Sequence, residues 1–381
     1  MKLALIVPGG VDRSGRERVI PVLLELIERL ARRHQVLVVA VEQEREWSRY
    51  TLRGASVVNL GEVSGAGRLG RWFARFRGLL RTLRQEGGHF NILHAFWLRG
   101  AGSLAVAAGQ WLGIPAVVSV GGGELVWLPE IGYGGQTNWL AKLETAFVTR
   151  RADAVTAPSR HSLQSLAARR RDAHWLPWSA DTRLFEASVE RPPGPPWHLL
   201  NVASLNAVKD HATLLRALRI VVDRCQGAHL DIVGEDTLNG SIERLAAELK
   251  LGEAVKFHGF KTQEEMAPFY RRAHLYVQSS RHESMGASVL EAAAAGVPTV
   301  GTAVGLVAEL APSAALAVAV GDASALADGI LALLQNPERR ESLGRAAQAF
   351  VRRHDADWAA AEFEKIYARL ARGRGTAANA A

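Results

Sequence analysis

Glu283 and Glu291 are the side chains of this 381-residue sequence whose type and spacing best suit chemistry on a bound ligand. Glu283 falls in a polar turn after an apolar run, and Glu291 falls about a turn and a half into the helix that starts near Gly286. A carboxylate accepts two hydroxyl hydrogen bonds at once, so this pair suits ribose and sugar hydroxyls better than phosphate. Spacing alone leaves a second interpretation open, a solvated pair of surface glutamates.

The start of the helix near Gly286 offers a second kind of chemistry. An apolar run that indicates a strand ends at about Gln278, and the polar turn leads directly into the helix. Free N–H groups and the positive end of the helix face any anion placed over the carboxyl edge of the sheet. Open α/β sheets bind ligands at this edge. The sequence therefore predicts a site there for an anion and for hydroxyl groups.

Short apolar runs alternate with longer amphipathic segments along the chain, which is typical of parallel sheets covered by helices on both faces. The predicted strands are 36–41, 92–94, 116–120, 154–157, 199–203, 230–233, 255–257 and 275–278. The predicted helices are 17–33, 101–112, 138–151, 210–224, 242–251 and one that starts near residue 286. The second half repeats the plan of the first, so we expect two α/β domains.

A Pro-rich stretch separates the two halves. Residues 190–196 contain four prolines, which fix φ and remove backbone donors, so no helix or central strand can form there. The sequence predicts an N-terminal domain over residues 1–185, a linker over 186–197 and a C-terminal domain over 198–355. Residues 373–381 are expected to be a frayed tail.

The turn and helix that carry Glu283 and Glu291 continue with Ala292, Gly296 and Pro298. This pattern, Glu-x7-Glu followed by Glu-Ala-x3-Gly-x-Pro, resembles the retaining glycosyltransferases of family 4, also called group 1. The resemblance extends to residues 152–159, 176–185 and 321–322. It implies the α/β GT-B fold of two facing Rossmann-like domains, with a C-terminal helix over 356–372 that returns to the first domain.

The resemblance also implies roles for the residues of the C-terminal half. Glu291 binds the nucleotide ribose, Glu283 lies by the donor sugar and takes part in catalysis, and Lys209 clamps the diphosphate. A lone lysine before a helix is otherwise more often a surface residue. Backbone groups near the sugar, the phosphates and the base come from Ser284, Met285, Gly286, Phe260 and Lys261.

Two positions depart from the family pattern. Ser204 stands where an arginine usually joins Lys209. The absence of that arginine weakens stabilisation of the leaving diphosphate unless Arg281 or Arg16 substitutes for it. Gly121 stands where many members place a histidine facing the donor sugar. These departures leave open a nucleotide-sugar-binding protein with impaired catalysis.

Residues of the N-terminal half are expected on the acceptor side of the cleft. Glycines in the first loop permit close backbone approach to a ligand, although the Gly-x-Gly-x-x-Gly spacing of a dinucleotide site is absent. For His94 the alternative is a strand-end histidine satisfied by backbone groups. The expected residues are Gly9, Gly10, Gly15, Arg16, His94, Gly121, Gly122 and Glu124.

Residues 68–84 predict a basic amphipathic helix, with six arginines flanking an apolar arc. Such a helix can lie on an anionic membrane. The alternative is a domain helix that packs on the sheet while its arginine stems snorkel. The two interpretations are compatible if part of the apolar face is exposed.

Composition narrows the classes of protein. The net charge of +8 indicates an anionic partner, but no zinc-finger spacing or RNP-like motif points to nucleic acid. No apolar stretch suits a membrane span, and the single cysteine, Cys225, fits a reducing cytoplasm. We expect a cytoplasmic protein, with peripheral contact to the inner face of the membrane through residues 68–84.

The sequence as a whole predicts an enzyme of the hexosyltransferase type, acting in glycan or polysaccharide biosynthesis. It would move a sugar from a nucleoside-diphosphate sugar to a hydroxyl acceptor, which can be a glycan, a lipid-linked molecule or a small molecule. By resemblance the configuration is retained, and neither a metal nor another cofactor is expected. A GT-B sugar-nucleotide epimerase is the alternative enzyme.

Overall fold

The computed structural model describes residues 1–381 except Ala66, Val189 and residues 379–381. Its contacts divide the chain into two compact units. The first unit comprises Met1–Leu128, Gly134–Trp178 and Ala356–Ala381, and the second unit comprises Pro129–Tyr133 and Ser179–Asp355. Both units are therefore assembled from separate segments of the chain.

The elements of the first half begin with an apolar strand and alternate as the sequence predicts. They are β1 (Lys2–Val7), α1 (Pro21–Ala31), β2 (Gln35–Ala40), β3 (Ser48–Leu52), β4 (Ala55–Asn59), α2 (Arg68–Gln85), β5 (Ile92–Phe96), α3 (Ser103–Leu112), β6 (Ala116–Ser119), β7 (Trp127–Leu128), β8 (Tyr133–Gly134), α4 (Trp139–Arg151), β9 (Ala154–Ala157), α5 (Arg160–Ala167) and β10 (His174–Trp175).

The remaining elements repeat the alternation and end in two long helices. They are α6 (Thr182–Phe185), β11 (Trp197–Val202), α7 (His211–Arg224), β12 (Ala228–Val233), α8 (Ser241–Glu248), β13 (Val255–Phe257), α9 (Gln263–Arg272), β14 (Leu275–Gln278), α10 (Ala287–Ala294), β15 (Thr299–Thr302), α11 (Gly305–Leu310), β16 (Ala315–Val318), α12 (Ala323–Leu334), α13 (Pro337–Arg353) and α14 (Ala356–Ala378).

The sheet of the first unit has the strand order β10-β9-β6-β5-β1-β2-β4-β3. Its strands pair in parallel, with registers such as Leu3 opposite Val36, except that β3 is antiparallel to β4. The antiparallel edge is absent from the sequence prediction. Arg53 and Gly54 between the two strands both have positive φ, 50° and 82°, as a tight hairpin turn requires.

Helices cover both faces of this sheet. One apolar cluster joins the sheet to α2, α3 and α4, and the other joins it to α1 and α14. Phe363 and Tyr367 of α14 are buried in the second cluster at 1% and 0% exposure. The C-terminal helix therefore belongs to the core of the first unit.

The first helix begins four residues later than predicted, at Pro21. Residues 11–19 instead form a loop whose ends meet in an antiparallel bridge between Val11 and Val19. The Ile20 N–H donates to the carbonyl of Gly10 at 2.9 Å. Pro21 suits the first helical position, where an N–H would have no intrahelical partner.

The sheet of the second unit has the strand order β13-β12-β11-β14-β15-β16, and its neighbouring strands all pair in parallel. A cluster of buried apolar residues from β11, β12, β14 and β15 packs against α7, α8 and α12. The two parallel sheets with covering helices confirm the predicted fold class.

The boundary between the units differs from the predicted linker. Residues 186–197 belong to the second unit, because the guanidinium of Arg191 donates to the carbonyls of Ala273 at 3.1 Å and Ala295 at 2.7 Å. Phe185, predicted to end the first domain, is buried with its ring centroid 5.2 Å from that of Tyr270. The division falls between Trp178 and Ser179 instead.

The C-terminal helix also extends beyond its predicted end at Arg372, since α14 runs from Ala356 to Ala378. The end of the expected tail, residues 379–381, lies outside the described residues. Within the part of the chain that the structure describes, no helix combines the length and apolar character needed to cross a bilayer.

Phe363→Ala should destabilise the first unit. The side chain is 1% exposed among apolar neighbours, so its loss should lower the free energy of unfolding by about 3–5 kcal/mol. Lys365→Ala, on the same helix with a side chain 71% exposed, is the matched control and should change it by less than about 0.5 kcal/mol. Urea denaturation measures both, and equal midpoints would contradict this packing.

Candidate active site

The carboxylate of Glu283 pairs with the ammonium of Lys209 at the carboxyl edge of the second unit's sheet. Glu283 Oε1 lies 2.5 Å from Lys209 Nζ and also accepts from the hydroxyl of Ser280 at 2.8 Å. The side chain of Glu283 is 12% exposed and that of Lys209 is 25% exposed. Two residues that lie 74 positions apart in the sequence thus form one charged centre.

Hydrogen bonds to backbone carbonyls hold the two loops of this centre together. The hydroxyl of Ser279 donates to the carbonyl of Lys209 at 2.8 Å, and the N–H of Arg281 donates to the carbonyl of Val208 at 2.7 Å. The loop after β11 and the loop after β14 therefore fix each other, which orients the ion pair before any ligand binds.

Glu291 lies in α10 and is 5% exposed. Its Oε2 accepts from the hydroxyl of Tyr270 at 2.7 Å, and its Oε1 accepts from the amide of Gln263 at 3.4 Å. Burial raises the pKa of Glu291 to about 7, against the opposing effect of these two hydrogen bonds. The carboxylate is thus oriented by neighbours on α9 and remains poorly solvated.

The conformation of the turn before α10 depends on two glycines, one in the turn and one at the start of α11. Gly286 caps the helix with φ of 95°, a conformation that disfavours other residues. Gly305 has φ of 54°, and a Cβ there would lie 2.6 Å from Cβ of Glu283 and 2.5 Å from the carbonyl oxygen of Met285. These glycines let the loop that carries Glu283 approach the start of α11.

Two neighbouring residues that the sequence predicts near the donor are both buried. Ser284 and Met285 are 5% exposed, and the carbonyl of Met285 accepts from the N–H of Leu306 at 2.7 Å. The backbone N–H groups of the turn near Gly286 remain the part of this segment suited to an anion, because the first turn of a helix lacks intrahelical acceptors for them.

Ser204, which replaces the family arginine, is exposed just after β11. Arg281 lies closer to the charged centre, because its backbone contacts the loop of Lys209 and its Nε lies 3.2 Å from Asp210 Oδ2. Asp210 has φ of 49° and accepts from the N–H of Thr213 at 3.2 Å. Arg281 is therefore a second cation of the same unit beside Lys209.

Phe260 and Lys261 lie in the loop between β13 and α9. The ring of Phe260 is 55% exposed, and Lys261 Nζ lies 3.8 Å from Glu265 Oε1. Thr262 and Glu265 close a capping box at the start of α9, whose first residue, Gln263, reaches Glu291. The segment predicted to contact the base thus leads into the residue that orients the ribose-binding candidate.

The glycine-rich loop of the first unit is ordered by its own side chains. A Cβ on Gly9 would lie 3.2 Å from Oε1 of Gln43, which accepts from the N–H of Val11 at 3.0 Å. Gly10 and Gly15 have φ of 81° and 65°. Arg16 is exposed within this loop, five residues before α1 begins at Pro21.

Glu124 holds the second glycine-rich loop through backbone donors, so its predicted polar contact with a ligand stays a prediction. Its carboxylate is 7% exposed and accepts from the N–H groups of Leu98 at 3.0 Å, Gly121 at 3.3 Å and Gly122 at 2.6 Å. Burial raises the pKa of Glu124, and the backbone donors oppose that shift.

Trp97 packs against Gly121, the position where the resemblance leads one to expect a histidine. A Cβ on Gly121 would lie 2.5 Å from Cε2 of the Trp97 indole and 2.6 Å from its Nε1. Trp97 itself has φ of 72°, outside the regions that most residues adopt. The indole thus occupies the space beside this strand end, and any larger residue at position 121 would collide with it.

His94 is a core residue, so its prediction as a cleft residue is wrong. It lies within β5 at 0% exposure, with Nδ1 2.6 Å from the hydroxyl of Tyr367 and Nε2 2.8 Å from the hydroxyl of Ser119. Burial lowers the pKa of His94 to about 3. The alternative, a strand-end histidine satisfied by backbone groups, holds only in part: the side chain is satisfied, but by two hydroxyl groups and from the middle of β5.

The sequence prediction missed Gln263, Tyr270 and Trp97. Gln263 and Tyr270 lie on α9, seven residues apart and on one helix face, directly after the loop of Phe260. That spacing is the one signal of their shared position. Among the described residues no group of three or more His, Cys, Asp or Glu is arranged to hold a metal ion.

Two family models match most of the chain. The model for glycosyl transferases group 1 matches residues 183–350, and the model for a glycosyl transferase 4-like domain matches residues 19–177. The first match contains Lys209, Glu283 and Glu291.

Curated relatives and solved structures agree with these matches. A D-inositol 3-phosphate glycosyltransferase of Frankia alni is 29% identical, over 89% of this chain and 90% of the relative. Another from Corynebacterium aurimucosum is 29% identical over 50% of this chain, and the match spans about half (49%) of that relative's length. The Anabaena protein HepE in complex with UDP and glucose is 16% identical with a TM-score of 0.74, covering 97% of this chain and 100% of that one, and shows the same fold. The chain therefore belongs to the group 1 glycosyltransferases of family 4 and has their GT-B fold.

Proposed function

We propose that the protein transfers a sugar from a nucleoside-diphosphate sugar to a hydroxyl acceptor, with retention of configuration. The observation that carries the proposal is the Lys209–Glu283 pair, with 2.5 Å between Nζ and Oε1, on the same sheet edge as the buried carboxyl of Glu291. Cation, carboxylates and a helix start at one edge suit a ligand that contains both phosphates and hydroxyls.

Lys209 and the start of α10 would hold the diphosphate. A lysine ammonium has three N–H donors, so one can remain on Glu283 while the others bind phosphate oxygens. The N–H groups near Gly286 would add uncharged donors and the positive helix end. These groups would stabilise negative charge as the diphosphate leaves, which is the costly part of the reaction. The proposal requires no metal for this step.

Glu291 and Glu283 would take the two hydroxyl-bearing parts of the donor. Tyr270 and Gln263 hold Glu291 in place, so its carboxylate is preorganised to accept from ribose hydroxyls. Glu283, paired with Lys209 and Ser280, would lie by the sugar and stabilise positive charge that develops at the reacting carbon.

The comparisons support the substrate classes. HepE is described with UDP and with glucose, and the relatives' name specifies D-inositol 3-phosphate, a molecule that carries hydroxyl groups. We infer a nucleotide-sugar donor and a hydroxylated acceptor for this chain. The acceptor's identity would be decided by the first unit, whose loops differ from the family pattern at Gly121.

Calorimetric titration with UDP, GDP and ADP tests the donor site. One nucleotide should bind with micromolar affinity, equally well with EDTA, and Glu291→Ala should weaken it about tenfold or more, a loss of about 1.4 kcal/mol. Glu264→Ala makes the same chemical change at an exposed position of α9 and should bind as the parent does. Failure of all three nucleotides to bind, or equal binding by Glu291→Ala, would refute the assignment.

Glu283→Gln should separate catalysis from donor binding. The amide keeps the size of the side chain but removes the charge beside the sugar, so turnover should fall about 100-fold or more while donor affinity changes far less. Nucleotide release with an acceptor found by screening measures turnover. Lys209→Met should impair both steps, whereas Lys256→Met, at an exposed position of β13, serves as the lysine control.

If Glu283→Gln binds the donor and turns over as fast as the parent, the reaction does not use the Glu283 carboxylate. Product analysis without any acceptor identifies the epimerase, which would form an epimerised nucleotide sugar under that condition. Tight donor binding without any product in the presence of the screened acceptors would indicate a binding protein.

Donor affinity should rise with pH. Burial raises the pKa of Glu291 to about 7, and only the ionised form accepts two hydroxyl hydrogen bonds, so donor binding favours loss of the proton. Between pH 6 and pH 8 the ionised fraction changes by about tenfold, and affinity for the nucleotide sugar should follow it. Glu291→Gln should abolish this dependence, and affinity that falls with rising pH would contradict the assigned role.

A further inference from the structure

Five large apolar side chains stand exposed on the first unit, at the first turns of α2 and α4. Leu69 is 72% exposed and Phe73 is 57% exposed on α2. Trp139, Leu140 and Leu143 are 68%, 42% and 57% exposed on α4. We call these residues the apolar patch. Clusters of this kind on a protein surface usually mark a site of interaction.

Polar contacts bring the two helix starts together. Arg68, the first residue of α2, has its NH2 3.7 Å from Oε2 of Glu144 on α4. Glu144 also accepts from the hydroxyl of Ser103 at 2.8 Å, and that hydroxyl accepts from Nε1 of Trp72 at 3.0 Å. Leu140 lies one helical turn before Glu144 on the same face. Arg68 therefore links the start of α2 to α4, with Leu69 beside it on α2 and Leu140 on the Glu144 face of α4.

Packing within the fold does not account for the patch. The inner face of α2 is supplied by Leu79, Leu80 and Leu83, which are buried at 9% exposure or less. Trp72 and Phe76 pack against the same core, with ring centroids 5.2 Å apart. Leu69 and Phe73 lie outside this face, so α2 keeps apolar side chains in water after its core contacts are complete.

Positive charge follows the apolar residues along both helices. On α2 the exposed stripe that begins with Leu69 and Phe73 continues at four-residue spacing with Arg77 and Arg81. The sequence of α2 contains six arginines and no acidic residue. On α4 the exposed positions end with Arg150 and Arg151. Apolar tips followed by cations match a lipid surface, with acyl chains below a layer of anionic head groups.

We propose that the apolar patch and its arginines dock the first unit on an anionic lipid bilayer. Leu69, Phe73 and Trp139 would enter the interfacial region while Arg77 and Arg81 pair with lipid phosphates. The apolar contact supplies attraction to any bilayer, and the arginines supply the preference for anionic lipid. This interaction needs neither donor nor acceptor, so it stands apart from the proposed sugar transfer.

Docking here would have a consequence for the acceptor. Each helix that follows a parallel strand begins at the carboxyl edge of the sheet, so the starts of α2 and α4 lie at the edge that also carries the loop of Gly9 and Gly10. The bilayer would therefore lie at the ligand-binding edge of the first unit. A hydroxyl acceptor held in the membrane would reach this edge without leaving the lipid.

Sedimentation with vesicles tests the proposal with the full chain and without substrates. Vesicles of phosphatidylcholine with 30% phosphatidylglycerol should bind the protein about tenfold or more tightly than phosphatidylcholine alone, and added salt should weaken this binding. The double variant Leu69→Ser and Phe73→Ser should lose about tenfold or more of the affinity. Arg77→Gln with Arg81→Gln should reduce the preference for the anionic lipid.

Trp111→Ser is the matched control, because Trp111 is 69% exposed at the opposite end of α3. It should bind vesicles as the parent does. A polarity-sensitive dye on Leu69→Cys, in a chain with Cys225→Ser, should shift to the blue with anionic vesicles, and the same dye on Trp111→Cys should not. The dye reports contact with lipid even where overall affinity is modest.

Several results would overturn the proposal. They are no binding to anionic vesicles, equal binding to neutral ones, or parent-like binding by the Leu69→Ser and Phe73→Ser variant. Size-exclusion chromatography adds another, since a dimer that this variant converts to a monomer would show that a second copy of the chain covers the patch. Nucleotide binding by the same variant should be unchanged, which separates this test from that of the donor site.

Discussion

The ion pair between Lys209 and Glu283 is the constraint on which the arrangement of the second unit's site depends. Partly exposed pairs of this kind add little stability, about 0–1 kcal/mol. Nevertheless two hydrogen bonds hold the loops that carry it, since the hydroxyl of Ser279 donates to the carbonyl of Lys209 and the N–H of Arg281 donates to that of Val208. Hydrogen bonds that hold a weak ion pair in place indicate that its position matters more than its energy. Under the proposed function, the pair would place a cation for phosphate beside a carboxylate for sugar before any donor binds.

Glu291 shows the opposite balance, because its burial costs stability. Burial raises the pKa of this carboxyl to about 7 because the folded protein favours the neutral form over the ionised one. Ionisation at higher pH therefore lowers the free energy of unfolding. Tyr270 and Gln263 offset part of this cost with hydrogen bonds. A ligand that brings hydroxyl donors to the carboxylate would offset more of it. Under the proposed function, donor binding would relieve part of this cost of ionising the buried carboxyl.

The fold could be predicted from the sequence because strand and helix patterns are local. Apolar runs at 154–157, 255–257 and 275–278 coincide with β9, β13 and β14, and the Glu-x7-Glu motif fixed the relative positions of Glu283 and Glu291. Contacts between distant segments could not be predicted in this way. Whether His94 faces a ligand or Tyr367 depends on a contact between residues 273 positions apart, and a polar side chain such as Glu124 has the same appearance in sequence whether it binds ligand or backbone.

The glycine loop of the first unit combines these constraints. The Trp97 indole lies where a Cβ at position 121 would be, so glycine at this position and the indole beside it are compatible only with each other. Glu124 then takes the N–H groups of Gly121 and Gly122, at 3.3 Å and 2.6 Å. With these donors occupied and the carboxylate itself buried, the loop can offer shape and apolar surface but few polar contacts. Under the proposed function, orientation of the donor would then fall to Lys209, Glu283 and Glu291, which the second unit holds through the ion pair and the hydrogen bonds to Glu291.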